Sequence, residues 1–220
     1  QEKDQIGLLT ALTIFLLSAN PEVLAEPRIQ AGCLQRFHSC IDSKDANEQL
    51  KCYRLILSIF QHPSHELVAP YICDLAPRVV RHLSHADSRK PQSQPELQVL
   101  QEGIRLLQAL ITASEEWNRP PMLSMVFHLF ISFLLDENAF GSASPYSKAL
   151  HDFGLHGLTQ FGASYPAQFR QLMGSSTALR SRIEAALRGN QESLKPKVSS
   201  RIVKGGGQGS PSIQLKTNFL

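Results

Sequence analysis

Residues 95–111, PELQVLQEGIRLLQALI, decide the fold class. Leu97, Leu100, Ile104, Leu107 and Ile111 recur at intervals of three and four, which places them on one stripe of an α-helix. Pro95 suits the first turn, where a missing N–H costs nothing. Immediately downstream, residues 122–135 (MLSMVFHLFISFLL) are apolar on nearly every side, the composition of a central helix. Between the two, Asn118–Pro121 reads as a tight turn.

The same period extends outward in both directions. Gln5–Ala19 is apolar almost all round and is expected to be an interior helix, buried on most sides. Pro27–Ser43 aligns Cys33, Leu34, Phe37, Cys40 and Ile41. Asp45 and Glu48 make a capping-box-like start for a helix burying Tyr53, Ile56, Leu57 and Phe60. Ser64 can cap the next, with Val68, Tyr71, Ile72, Leu75 and Val79 inward; Pro70 and Pro77 predict that it is kinked or split. The polar run SHADSRKPQSQ at 84–94 is a loop. Ser144 and Pro145 begin a helix carrying Tyr146, Leu150, Phe153 and Phe161. Tyr165 and Pro166 open a short one through Phe169, Leu172 and Met173. Gly174 and Ser176 separate it from a last helix on Leu179, Ile183 and Leu187, ending near Gly189.

Composition points the same way. Leucine supplies 31 positions against 13 Ile and 8 Val, a balance that favours helix over sheet. No stretch shows sustained period-two alternation, so the chain is expected to be all-α. Successive hairpins begin near residues 5, 45, 95 and 145, close to the roughly 40–47-residue period of HEAT and armadillo arrays. A HEAT/armadillo-like α-solenoid of antiparallel helix pairs over residues 1–192 is the expected architecture, and a closed bundle of eight or nine helices is the alternative. From Ser193 onward the chain holds five basic residues, no acidic one and the glycine-rich run GGGQGS, and is expected to be a disordered tail. The net charge of +3 therefore divides unevenly: residues 1–192 carry 17 Lys+Arg against 19 Asp+Glu, so the excess positive charge belongs to the tail.

No catalytic or metal constellation emerges, and no cofactor is expected. His62/His65 and His82/His85 have H-x-x-H spacing without converging third and fourth ligands; solvated helix-end histidines are the expectation. His151 and Asp152 are adjacent on a helix, point about 100° apart and follow no nucleophile elbow. GGGQGS at 205–210 lacks the Lys-Ser/Thr continuation of a phosphate loop and reads as a linker. Cys33, Cys40, Cys52 and Cys73 sit in apolar helical patterns, as reduced, buried thiols of a cytosolic protein would. The 14 uncharged residues Ile6–Ala19 fall short of the ~20 needed to span a bilayer. Gln1 in place of an initiator Met is read as a fragment or processed product.

What stays available is binding. Trp117 and Arg119, in the turn between two helices, are candidate anchors, with Trp117 expected to pack at the hairpin end. In the tail, Phe219 and Leu220 belong to an apolar segment suited to a groove, and Lys195, Lys197, Arg201 and Lys204 could meet an acidic surface.

Residues 165–188, YPAQFRQLMGSSTALRSRIEAALR, resemble the closing repeat of large HEAT-repeat scaffolds. In these a Tyr/His-Pro-x-x-Phe helix precedes an x-Leu-Arg-x-x-(Ile/Leu)-Glu-x-Ala-(Leu/Ile)-Arg helix. The matching positions are Pro166, Phe169, Leu179, Arg180, Ile183, Glu184, Ala186, Leu187 and Arg188. With the terminal PSIQLKTNFL, the chain resembles the C-terminal end of the HEAT repeat-containing protein 5 family. The resemblance implies a non-enzymatic scaffold of membrane traffic that works with clathrin adaptor and associated coat components. It implies peripheral association, through partners, with the trans-Golgi network, endosomes and endocytic vesicles, in endocytosis and retrograde transport. As the end of a larger array, the chain would show apolar surface at its first helix, within Ile6–Leu17. The rival expectation is a HEAT protein of nuclear transport or of a nucleic-acid-associated assembly, using the basic tail.

Overall fold

The structure is a computed structural model that describes residues 2–24, 26–85 and 90–194. Among these there are eleven helices and no strand. They are α1 (Glu2–Ser18), α2 (Pro21–Leu24), α3 (Pro27–Ile41), α4 (Ala46–Phe60), α5 (His65–Ser84), α6 (Gln94–Ala113), α7 (Arg119–Ser132), α8 (Glu137–Phe140), α9 (Pro145–Ser164), α10 (Pro166–Ser175) and α11 (Thr177–Leu194). The all-α expectation therefore holds for these residues.

Side-chain caps mark several starts. Asp45 accepts the Asn47 N–H at the head of α4, Ser93 accepts the Glu96 N–H on α6, and Ser144 accepts the Ser147 N–H on α9. The expected Asp45–Glu48 box takes a relayed form. The Asp45 N–H donates to the Ser43 hydroxyl (3.2 Å), which donates to the Glu48 carboxylate (2.6 Å), whose other oxygen receives the Cys40 thiol (3.3 Å). Glu48 is thereby buried with its acceptors used, as a buried carboxylate requires.

The contacts run in two rows. Helix α4 packs on α1 and α6, and α6 on α9; in the other row α5 packs on α3 and α7, and α7 on α10. Consecutive members of opposite rows (α1 and α3, α4 and α5, α6 and α7, α9 and α10) also touch, and these are the four sequence-predicted hairpins. The core is one continuous apolar cluster reaching from Leu9 to Ala186. Its largest fully buried side chains include Tyr53, Tyr71, Phe37, Phe60, Phe127 and Phe130.

Two close approaches need glycine. At Gly157 of α9, an added Cβ would lie 2.2 Å from the Phe130 ring of α7, and at Gly154 it would lie 2.9 Å from the Phe130 carbonyl oxygen. At Gly103 of α6, it would lie 2.7 Å from Leu83 and 3.1 Å from Tyr53.

Three expectations change. Helix α5 is not split at Pro70 or Pro77; both prolines lie on its exposed face, where water can satisfy the carbonyls they leave unbonded. Helix α11 runs past Gly189 to Leu194; a glycine inside a helix costs about 1 kcal/mol, which does not by itself end one. Helix α1 is buried along only one stripe, through Leu9, Thr13 and Leu16.

Gly157→Ala should destabilise the fold by about 1–3 kcal/mol through overpacking against Phe130. Gly32→Ala, in open space on α3, should stabilise it by about 0.5–1 kcal/mol. Urea unfolding followed by helical circular dichroism checks both, and equal effects at the two sites would refute the close-approach argument.

Candidate functional site

Among the described residues, the large apolar side chains exposed to solvent, apart from Val23 on α2, stand in two places. The first is the outer face of α1, where Leu8 (48% exposed), Ile14 (60%) and Phe15 (40%) stand with Gly7, Ala11 and Ser18. These positions follow a three-and-four spacing, so they form one uncharged stripe along the helix, the geometry a second helix seats against. Leu8, Ile14 and Phe15 lie within Ile6–Leu17, the segment expected to show apolar surface.

The second is the corner between α6 and α7. Trp117 is 75% exposed, which corrects the expectation that it packs at the hairpin end. Its indole N–H is committed to the Glu115 carboxylate, which holds the edge of the ring and leaves the faces to solvent. Arg119 has a different role from its neighbour. Half-buried, it donates from Nη2 to the Ser114 carbonyl oxygen (2.9 Å), complementing the C-terminal end of α6. Lys195, Lys197, Arg201, Lys204, Phe219 and Leu220, with the tail that carries them, lie outside the described residues.

A shallow groove of about 530 Å³ lies between α9, α10 and α11, lined by Leu155, Leu158, Phe169, Met173 and Ile183, with Arg180 and Glu184 contributing charge. Phe169, Arg180, Ile183 and Glu184 all belong to the motif that carries the family resemblance. Their placement together gives that motif a local role: it shapes the junction of the last three long helices. Arg182 adds to this junction by donating from Nη2 to the Leu134 carbonyl oxygen (3.1 Å) at the end of α7.

Several of the described histidines are engaged in hydrogen bonds within the fold. His82 is half-buried and hydrogen-bonded through Nδ1 to the Tyr53 hydroxyl (2.7 Å), which departs from the solvated helix-end expectation. His85 is exposed and bonds the Arg81 carbonyl, and His62 accepts the Ser64 N–H. His151 is 1% exposed, accepts the Leu135 N–H at Nδ1 (2.9 Å) and meets the Phe140 ring edge-on. Asp152 points to solvent. Among the described residues no group of three or more His, Cys, Asp or Glu side chains could hold a metal ion, and no helix is long and apolar enough to cross a membrane. The cysteines are free; Cys33, Cys40 and Cys52 are buried, whereas Cys73 is exposed, contrary to the expectation of four buried thiols.

Charge pairs join the same layer. The His38 imidazole pairs with Asp74, and Arg78 donates to Asp42 (2.5 Å), two bridges one helical turn apart between α3 and α5. Buried Glu102 on α6 receives Arg105 (2.8 Å), with Arg54 of α4 at 3.9 Å.

No protein-family model matches this chain, and no solved structure matches it.

Two consequences can be measured. Burial lowers the pKa of His82 and of His151 from the ordinary value of 6.5, while Asp42 and Asp152 oppose the shift. The unfolded chain therefore binds protons first as pH falls. The stability held by these neutral imidazoles is complete above 6.5 and is lost as pH drops through the depressed folded values. The urea midpoint should fall between about pH 7.5 and about pH 5, and His151→Leu, though less stable at neutral pH, should show a shallower slope. Burial likewise raises the Cys33, Cys40 and Cys52 thiols, Cys40 to about 12. A thiol reagent should label Cys73 rapidly in the native protein and the other three only on unfolding, as peptide mapping by mass spectrometry would reveal.

Proposed function

We propose that this chain is a non-enzymatic helical scaffold, an α-solenoid segment that holds other proteins through exposed apolar and aromatic surface. The observation that carries the reading is the uncharged stripe Leu8–Ala11–Ile14–Phe15 on α1, beside a row of helices that each pack on the next. A helix stripe of this kind is the surface by which one unit of a repeat array stacks on another. The two rows of contacts support a solenoid over a closed bundle, because each helix in a row touches the next member.

The trafficking assignment rests on the resemblance of residues 165–188 and 211–220 to the HEAT repeat-containing protein 5 family. It makes the partners clathrin adaptor and associated coat components, and the place of action the cytosolic face of the trans-Golgi network and endosomes. The second reading, a nuclear-transport or nucleic-acid-associated scaffold, draws on the five basic residues after Ser193. Cytosol passed over the immobilised chain should yield adaptor or coat subunits, identified by mass spectrometry, and Ile14→Glu/Phe15→Glu should reduce any capture that uses the α1 stripe. Consistent absence of coat components, together with nucleic-acid binding that weakens steeply between about 50 and about 200 mM salt, would replace the first reading by the second.

A further inference from the structure

The apolar stripe of α1 and the groove between α9, α10 and α11 stand at the two ends of one row, in which α1, α4, α6 and α9 pack in turn. On α1 the buried residues Leu9, Thr13 and Leu16 share one side, and α4 is its main neighbour. At about 100° per residue, Ala11, Ile14, Phe15 and Ser18 fall on the opposite side, and all four are exposed. A helix inside the row is packed from two directions, as α4 is by α1 and α6. The exposed stripe of α1 therefore lies where a preceding row member would stand.

The other end of the row shows the counterpart. On α9, Gln160, Phe161 and Ser164 adjoin α6, sharing a small notch with Gln108 and Thr112. Leu155, Leu158, Thr159 and Gly162 lie on the opposite side of α9 and line the groove. Among the described residues α11 packs on α7, α8 and α10 instead of continuing the row. The place after α9 is thus left as a groove, walled by Phe169 and Ile183. Its two charges, Arg180 and Glu184, are opposite in sign and one turn apart on α11, so the groove carries no net charge. The α1 stripe carries none either. Ala11, Ile14, Phe15 and Ser18 follow the spacing i, i+3, i+4, i+7, as do Leu155, Leu158, Thr159 and Gly162. Each set mixes large with small side chains, the relief that lets the ridges of one helix enter the grooves of another.

We propose that a second copy of this chain docks head to tail, with the α1 stripe of one copy seated in the α9–α10–α11 groove of the next. The row α1–α4–α6–α9 then continues from copy to copy, repeating between molecules the helix-on-helix packing already present within one. The proposal rests on the scaffold reading in its two-row form and gives the α1 stripe its partner. Stripe-on-stripe pairing in a closed dimer would cover α1 and leave the groove open.

Ile14 and Thr159 are both exposed, so Ile14→Glu and Thr159→Glu put a charge into either half of the contact without entering the core. The full chain is followed by sedimentation velocity from about 1 to about 100 μM. A reductant keeps the exposed Cys73 from cross-linking copies. The unaltered chain should grow past the dimer as concentration rises, because a head-to-tail contact leaves a free end on every assembly. Each variant alone should stay monomeric, with helical circular dichroism unchanged. An equimolar mixture of the two should form a dimer and nothing larger, since one protein keeps a competent groove and the other a competent stripe. An unaltered chain still monomeric at about 100 μM, dimers of either variant alone, or a mixture that stays monomeric would overturn the proposal. No coat component enters the experiment, so a monomeric chain that captures coat subunits would end this proposal and leave the scaffold reading standing.

Discussion

Packing of α7 against α9 leaves no space for a β-carbon at Gly157, and much of the architecture follows from that one approach. With the Phe130 ring seated over the glycine, α9 comes close enough for Phe130 to meet Phe153 and Phe161, and for Phe127 to meet Phe161 and Phe169. Those aromatic contacts carry the packing from α7 through α9 to α10. Gly103 does the same for the other half, letting α6 lie against Leu83 of α5 and Tyr53 of α4. In each case a residue with poor helix propensity sits in mid-helix because the missing side chain brings two other elements together. The local cost is about 1 kcal/mol relative to alanine, against buried aromatic side chains whose burial each contributes about 1.5–3 kcal/mol.

Polar groups at helix ends supply the second layer of organisation. The end of α3 is met by Gln49 of α4, whose amide donates to the Ile41 and Ser43 carbonyls (2.9 and 2.7 Å). The end of α6 is met by Arg119, and that of α7 by Arg182 from α11. Past α7, the Leu135 N–H is met by His151 from α9. These side chains satisfy backbone groups that their own helices cannot reach, and they do so across helix boundaries. An orphan carbonyl or N–H at a helix end thus becomes a join between neighbouring elements. The same logic leaves Glu48 and Glu102 buried without penalty of isolation, one on a hydroxyl and a thiol, the other on arginines.

Periodicity made the helices legible because their buried faces repeat at a fixed interval; Leu97, Leu100, Ile104, Leu107 and Ile111, like Val68, Tyr71, Leu75 and Val79, point inward as their spacing requires, whereas Ile72 is only half-buried. The same signal misjudged α1, since an apolar composition on all sides says nothing about what is available to cover each side. Pro70 and Pro77 were legible as helix disruptors only in the absence of knowledge of their face; on the solvent side their lost hydrogen bonds fall to water. At the exposed corner between α6 and α7 the sequence was informative about residue type and silent about role. Trp117 and Arg119 are two apart, yet one presents its faces to solvent and the other is turned inward to a carbonyl. His82 carries no sequence mark of its link to Tyr53, 29 positions away, and no pattern of spacing could have supplied one.

A notch of about 260 Å³ at the ends of α6 and α9, with Gln108, Thr112, Gln160 and Ser164 in its lining, has the same origin as the two rows. Helices that are neighbours within one row, α6 and α9, are separated in sequence by a member of the other row, so the chain returns to run each in the same sense. Their C-terminal turns then line one notch, and their dipoles reinforce there instead of cancelling, as they would between consecutive, oppositely directed helices. Two successive members of one row thus end side by side, with uncharged polar side chains between their last turns.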